Sequence, residues 1–214
     1  MKTLLSLLLT LALAASSLSA NALFYIGTYT KSGKSQGVYV SRLDTETGRL
    51  GAVELAGEAA SPSFVALSPD GKFLYAAMEG SGGAVAAFAV GAGGRLTKLN
   101  QQATGGDGTC HVWVDATGRN VLAANYGGGS IACIRANADG SLGERSAFVQ
   151  FAGSGPNLPR QQKPHGHAIY TDAANRFVYA CDLGTDQVWT FRFDAAKGTL
   201  TPTDPPSGDR KSVV

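Results

Sequence analysis

The feature that most constrains the fold is a repeat. Three stretches, residues 62–100, 109–146 and 164–202, align on their turn signals. Each reads as an apolar strand, a turn, a second strand, a Gly-rich or Gly/Asp turn, a third strand, a further turn and a short fourth strand. The turn anchors Gly71, Gly118 and Asn175 are spaced by 47 and 57 residues, and the longer step is taken up by the loop AGSGPNLPRQQK at 152–163. Four short strands repeated at such a period make the blade of a β-propeller. Within the strands alternation is incomplete, as in Phe73-Leu74-Tyr75, which suits strands packed on both faces. Residues 23–55 add a further set of strands, with DTETGRL as a hairpin turn. The expected fold is all-β: about four four-stranded blades over residues 23–208, with no closing strand visible at the end.

Composition agrees with many tight turns. Of 214 residues 28 are glycine, without a three-residue period, and 44% are apolar, enough for a core. The first 22 residues stand apart. Lys2, an apolar run over 4–15 and then small residues read as a secretory signal peptide cleaved after Ala22 or Ala20, the run being shorter than the roughly 20 residues of a spanning helix. This predicts export to a bacterial periplasm, with no membrane association after cleavage. At the other end, DRKSVV (209–214) continues no pattern and is the translation of a common sequencing adapter, so it reads as the artefactual edge of a truncated read; a natural polar tail is the alternative. Without Lys2, Asp209, Arg210 and Lys211, the remainder holds 15 basic and 15 acidic residues. No basic cluster suggests nucleic-acid binding. The three cysteines, Cys110, Cys133 and Cys181, form no CxxC and are expected to be free and mostly buried.

All three histidines fall at starts of first strands: His111 after Cys110, and His165 and His167 in KPHGHAIY. In a blade the start of the first strand lies beside the end of the second. Counting outward from the turns, with an error of one residue, sets His167 opposite Asp182, Cys110 opposite Asn125 and Ser63 opposite Met78. These segments should therefore meet at one mouth of the central channel. A carboxylate bonded to one imidazole nitrogen leaves the other free to take a proton from water, the functional reading of His167 with Asp182. His165, two residues away, shares its face, whereas His111 faces the other way unless a strand carries a bulge. Two other readings stay open: histidines that only satisfy loop backbone, and a zinc site, for which no acidic or Cys residue has a convincing spacing. NYGGGS (125–130) lacks the phosphate-loop pattern and reads as a tight turn. Glu79, at the matching place one blade earlier, is a polar wall residue or a turn carboxylate.

The motifs FYIGTYT, PSFVALSPDGKFLYA, CHVWVDATGRNVLAANYGGGS and KPHGHAIYTDAANRFVYACDLGTDQVWTFRFD resemble the seven-bladed propeller lactonase family in order and over essentially all of 23–208. The resemblance implies a ring of seven blades and hydrolysis, or reversible closure, of a lactone without a tightly bound cofactor; no metal site is expected, since no acidic or Cys residue completes one. His167, His165 and Asp182 would form the catalytic group, and His111, Asn125 and Tyr126 would surround a small-molecule lactone, joined by Glu79 on the strength of its matching place in the earlier blade. The family's later Gly-Pro-Arg-His and Asn-Glu segments do not occur here, so this chain alone is expected to be inactive. Because a phosphorylated sugar lactone is a cytoplasmic metabolite, an exported member would act on another lactone. The competing expectation is a non-catalytic exported propeller that binds a ligand or protein partner through the same rim.

Overall fold

A computed structural model of the chain describes residues 21–31, 33–80 and 82–209. Residues 1–20 of the expected leader (1–22) and 210–214 of the expected artefactual tail (209–214) lie outside the described residues. Four antiparallel sheets follow one another in chain order. Sheet A contains β1 (Asn21–Ile26), β2 (Gly37–Asp44) and β3 (Glu54–Glu58). Sheet B contains β4 (Pro62–Leu67), β5 (Phe73–Met78), β6 (Ala84–Val90) and β7 (Leu96–Ala103). Sheet C contains β8 (Thr109–Val114), β9 (Asn120–Asn125), β10 (Ser130–Ala136) and β11 (Leu142–Gln150). Sheet D contains β12 (Gly166–Thr171), β13 (Phe177–Asp182), β14 (Gln187–Asp194) and β15 (Thr199–Asp209).

Sheets B, C and D carry the four strands that the repeat predicts, and sheet A carries three. The reason lies in the alignment: β1 takes the place held by second strands β5, β9 and β13 in the other sheets. Ala22, the last residue of the expected leader, lies in β1 opposite Leu43. Asp209, the first residue of the expected artefact, ends β15 opposite Gln187. Among the described residues no helix is long and apolar enough to cross a membrane.

The inner strands β4, β8 and β12 stand side by side, and the core consists of the layers between successive sheets. Val38, Leu74 and Phe88 fill the layer between A and B. Tyr75, Val112, Val121 and Ile134 fill that between B and C, and Leu122, Ile131, Ile169 and Phe191 that between C and D. Middle strands β5 and β9, covered on both faces, are buried almost without interruption, which explains their weak alternation. In β13 the same kind of sequence alternates instead, with Tyr179 39% exposed where its counterpart Tyr75 is fully buried. Sheet D has a neighbour on one face only among the described residues. Cys181 is exposed for that reason, Cys110 is half-buried and Cys133 is buried, so only one thiol meets the expectation of burial in full.

Candidate active site

The site is built by a defect repeated three times. In sheet B, Pro62 faces Met78 but Phe64 already faces Ala77. In sheet C, Thr109 faces Asn125 and His111 faces Ala124. In sheet D, Gly166 faces Asp182 and Ala168 faces Cys181. Each inner strand thus carries one extra residue, and those residues are Ser63, Cys110 and His167. A bulge of this kind re-aims a side chain out of the sheet alternation. All three line one cavity of about 460 Å³. The residue following each second strand, Glu79, Tyr126 and Leu183, lines it too, as does Tyr29 beyond β1. Two positions of the repeat therefore supply most of the wall, and Phe64 and Arg160 complete it. The expected cross-strand pairs are corrected by one residue: Asp182 faces Gly166, not His167, because uninterrupted counting passes over the bulge.

Asp182 does not serve the imidazole of His167. It is 2% exposed, and its carboxylate accepts hydrogen bonds from the His165 and Gly184 backbone N–H groups at 2.6 and 2.9 Å. Thr185 Oγ1 at 2.7 Å and the Trp189 indole N–H at 3.4 Å complete the set. These bonds tie the carboxylate to the chain under the histidines and to Thr185 and Trp189, and none of them reaches the His167 ring. Gly166 allows the segment to lie where it does. A Cβ there would sit 2.9 Å from the Ser130 carbonyl oxygen, so any side chain would force one of the two strands to shift.

Tyr126 sits between the two histidines. The His165 ring stacks on it at 4.5 Å, and the His167 ring meets it edge-on at 5.8 Å. His165 Nδ1 lies 2.9 Å from the Tyr126 carbonyl oxygen. That oxygen can only accept, so Nδ1 carries the proton and Nε2 is bare in the neutral ring. His167 is exposed and lines the cavity; no side chain among the described residues hydrogen-bonds its ring. His165 lines a separate cleft beside it.

Two other expected site residues are placed elsewhere. His111 is 4% exposed, packed between Phe64 at 4.3 Å and Tyr170 at 4.8 Å. Its Nδ1 accepts the Ile169 N–H at 3.4 Å, and its buried Nε2 has no partner among the described residues. Burial, with a smaller contribution from His167, pushes its pKa down to about 4. It is a neutral core ring and no wall residue. Asn125 is fully buried; its Oδ1 accepts from Thr109 Oγ1 at 2.7 Å and its Nδ2 donates to Ser130 Oγ at 3.0 Å. It joins β8, β9 and β10 and faces no ligand space.

Glu79 does line the cavity and accepts a hydrogen bond from the Tyr29 hydroxyl at 2.7 Å, which raises the pKa of that phenol. Cys110 points at the carbonyl oxygens of His167 and Gly166, 3.5 and 3.6 Å from Sγ. Burial pushes its thiol up to about 11, so it is a poor nucleophile at neutral pH. Sequence reasoning missed Tyr29 and Arg160, and brought Ser63 to the mouth without giving it a role in the site. The Arg160 guanidinium donates to the Tyr126 hydroxyl at 2.9 Å. Its signal was the loop 152–163 itself, an insertion rich in polar donors directly before the histidine pair.

Comparison with known proteins gives a consistent picture. The family model described as "Lactonase, 7-bladed beta-propeller" matches residues 23–212. The 6-phosphogluconolactonase of Bacillus subtilis (strain 168) is 38% identical over 179 residues, 83% of this chain and 50% of that protein. A solved structure from Bacteroides fragilis, described provisionally as a 6-phosphogluconolactonase, is 36% identical with a TM-score of 0.84, covering 91% of this chain and 56% of that one. The periplasmic gluconolactonase of Pseudomonas aeruginosa is 26% identical with a TM-score of 0.78, covering 88% and 55%. The chain spans about half the length of the curated relatives it matches.

Proposed function

The chain belongs to the seven-bladed β-propeller lactonase family, and on that premise we propose that its cavity is the site of a sugar-lactone hydrolase with His167 as general base. The observation that carries this reading is the bulge that aims His167 into the cavity shared with Tyr126, Arg160 and Glu79. His167 takes a proton from water while the water oxygen attacks the lactone carbonyl carbon. The π pair moves onto the carbonyl oxygen. Tyr126 supports that oxyanion, because its hydroxyl already accepts from Arg160 and its own proton is left to donate into the cavity. Collapse re-forms the carbonyl and breaks the bond to the ring oxygen, which recovers the proton from the His167 imidazolium. The product is the open-chain hydroxy acid. Glu79 and Tyr29 would hold sugar hydroxyls, while Asp182 and His165 keep the segment and Tyr126 in place. Export to the periplasm is part of the proposal; the leader-like residues 1–22 and the likeness to a periplasmic gluconolactonase support it.

The test is His167→Ala in the full gene product, with proton release from gluconolactone followed at constant pH. A fall in kcat of about 10²–10⁴-fold is expected, and an unchanged rate would refute the assignment. The 214-residue chain alone is expected to give no hydrolysis above background. One observation favours a second reading, a propeller that binds a ligand at this rim without hydrolysing it: no carboxylate among the described residues supports the His167 ring. Under that reading the unaltered full gene product also fails to hydrolyse.

A further inference from the structure

We propose that Glu79 sets the substrate class of the cavity: with Tyr29 it reads hydroxyl groups on the part of the lactone remote from His167, and it turns away lactones that carry an anionic group there. The inference rests on the lactonase reading for the placement of the ring.

The order of the sheets polarises the cavity. Inner strands β4, β8 and β12 stand side by side, so their bulges enter the wall in the order Ser63, Cys110, His167. Tyr29 from sheet A and Glu79 from sheet B therefore stand at one end. His167, with Arg160 from the loop before β12, stands at the other. Among the described lining residues Glu79 is the one carboxylate and Arg160 the one permanent cation. Arg160 is engaged with the Tyr126 hydroxyl at 2.9 Å, on the His167 side. Among the described residues no Lys, Arg or His forms an ion pair with Glu79.

The Tyr29 hydroxyl directs its proton to Glu79 at 2.7 Å, so the phenol oxygen and the carboxylate both present lone pairs only. Such a pair takes up O–H donors and offers an anion none. A site built to pair with hydroxyls rejects analogues that leave its polar groups unpaired, and a second anion meets like charge as well. That charge acts across the wall. The hydrogen bond to Glu79 is the main reason the Tyr29 pKa is raised, and the same carboxylate adds to burial in raising that of Cys110. What opposes a thiolate at this wall opposes a carboxylate brought there by a ligand.

Both acceptors are fixed before a ligand arrives. The Glu79 N–H bonds to the Ser61 carbonyl oxygen at 3.0 Å, and the Thr28 N–H to the Pro62 carbonyl oxygen at 2.9 Å. The Ser61 N–H donates to Thr30 Oγ1 at 2.9 Å. Thr28 and Thr30 flank Tyr29, so Ser61 and Pro62 hold both sides of the pair. Ser61 is 3% exposed with a φ of 47°, a left-handed backbone that a non-glycine residue keeps only where its surroundings impose it.

Gluconate and glucarate are titrated calorimetrically into the full gene product near neutral pH and at low ionic strength. The two differ only at the end remote from the shared carboxylate, a hydroxymethyl group in the first and a second carboxylate in the other. Gluconate is expected to bind at least about tenfold tighter than glucarate. E79Q, which keeps an acceptor for Tyr29, is expected to bring the ratio close to one by tightening glucarate. Equal binding by the parent, an unchanged ratio in E79Q, or no binding of either sugar acid would each overturn the proposal. The unfolding midpoint checks that E79Q keeps its fold. Because binding is read without turnover, an inactive protein with the expected ratios sinks only the hydrolase reading. A protein that hydrolyses gluconolactone but shows no effect of E79Q on the ratio sinks only this one.

Discussion

The Asp182 carboxylate accepts the His165 backbone N–H at 2.6 Å, so the acid beside the histidine pair supports the chain and not a ring. Asp182→Ala removes the acceptor of the part-buried His165 N–H and of the buried Gly184 N–H. A loss of about 1–3 kcal/mol in urea unfolding is expected. The hydrolysis that remains should keep the pH midpoint of the parent, whereas an Asp182–His167 dyad would shift it.

His111 links pH to stability. Its folded pKa is depressed, from 6.5 to about 4, so its contribution is fully present above 6.5 and is lost as pH falls from there towards 4, where the unfolded chain takes up a proton that the native ring refuses. Urea midpoints should fall across that interval. In His111→Phe, which keeps an aromatic ring between Phe64 and Tyr170, the fall should be shallower; an equal slope would show that other groups cause it.

Gly166→Ala places a methyl against the Ser130 carbonyl oxygen, at 2.9 Å before any relaxation. Neither strand can move freely there, since β12 is also held by Asp182. A stability loss of roughly 1–3 kcal/mol is expected, read by thermal unfolding, together with reduced lactone hydrolysis as His167 is displaced.

The thiols should react in order of exposure. Under iodoacetamide near neutral pH, Cys181 should label first, Cys110 slowly and Cys133 only after denaturation. Mass spectrometry of timed samples reads this directly, and early labelling of Cys110 would contradict a thiol held up to about 11.

The blade pattern was legible because it is local: turn residues, apolar runs and a recurring length are properties of short segments, and a repeat states them three times. The mouth of the channel was legible for the same reason, since strand starts and ends follow from counting about the turns, and His167, Tyr126 and Glu79 are all on its wall. Register was not. One inserted residue leaves the apolar pattern of β4, β8 and β12 readable while exchanging which side chain faces which neighbour. That exchange assigned Asp182 to backbone, Asn125 to a buried polar link and His111 to the core. Burial was equally non-local: Tyr75 and Tyr179 occupy the same place in similar strands, yet only the first is sealed by a sheet on both sides. Arg160 reached the site through a loop whose path depends on Gln161 finding the Leu183 carbonyl. Chain chemistry within a few residues thus prescribed strands, turns and the end at which the histidines gather. Contacts between sheets selected which of those residues meet open space, because a side chain's surroundings come from segments far away in the chain.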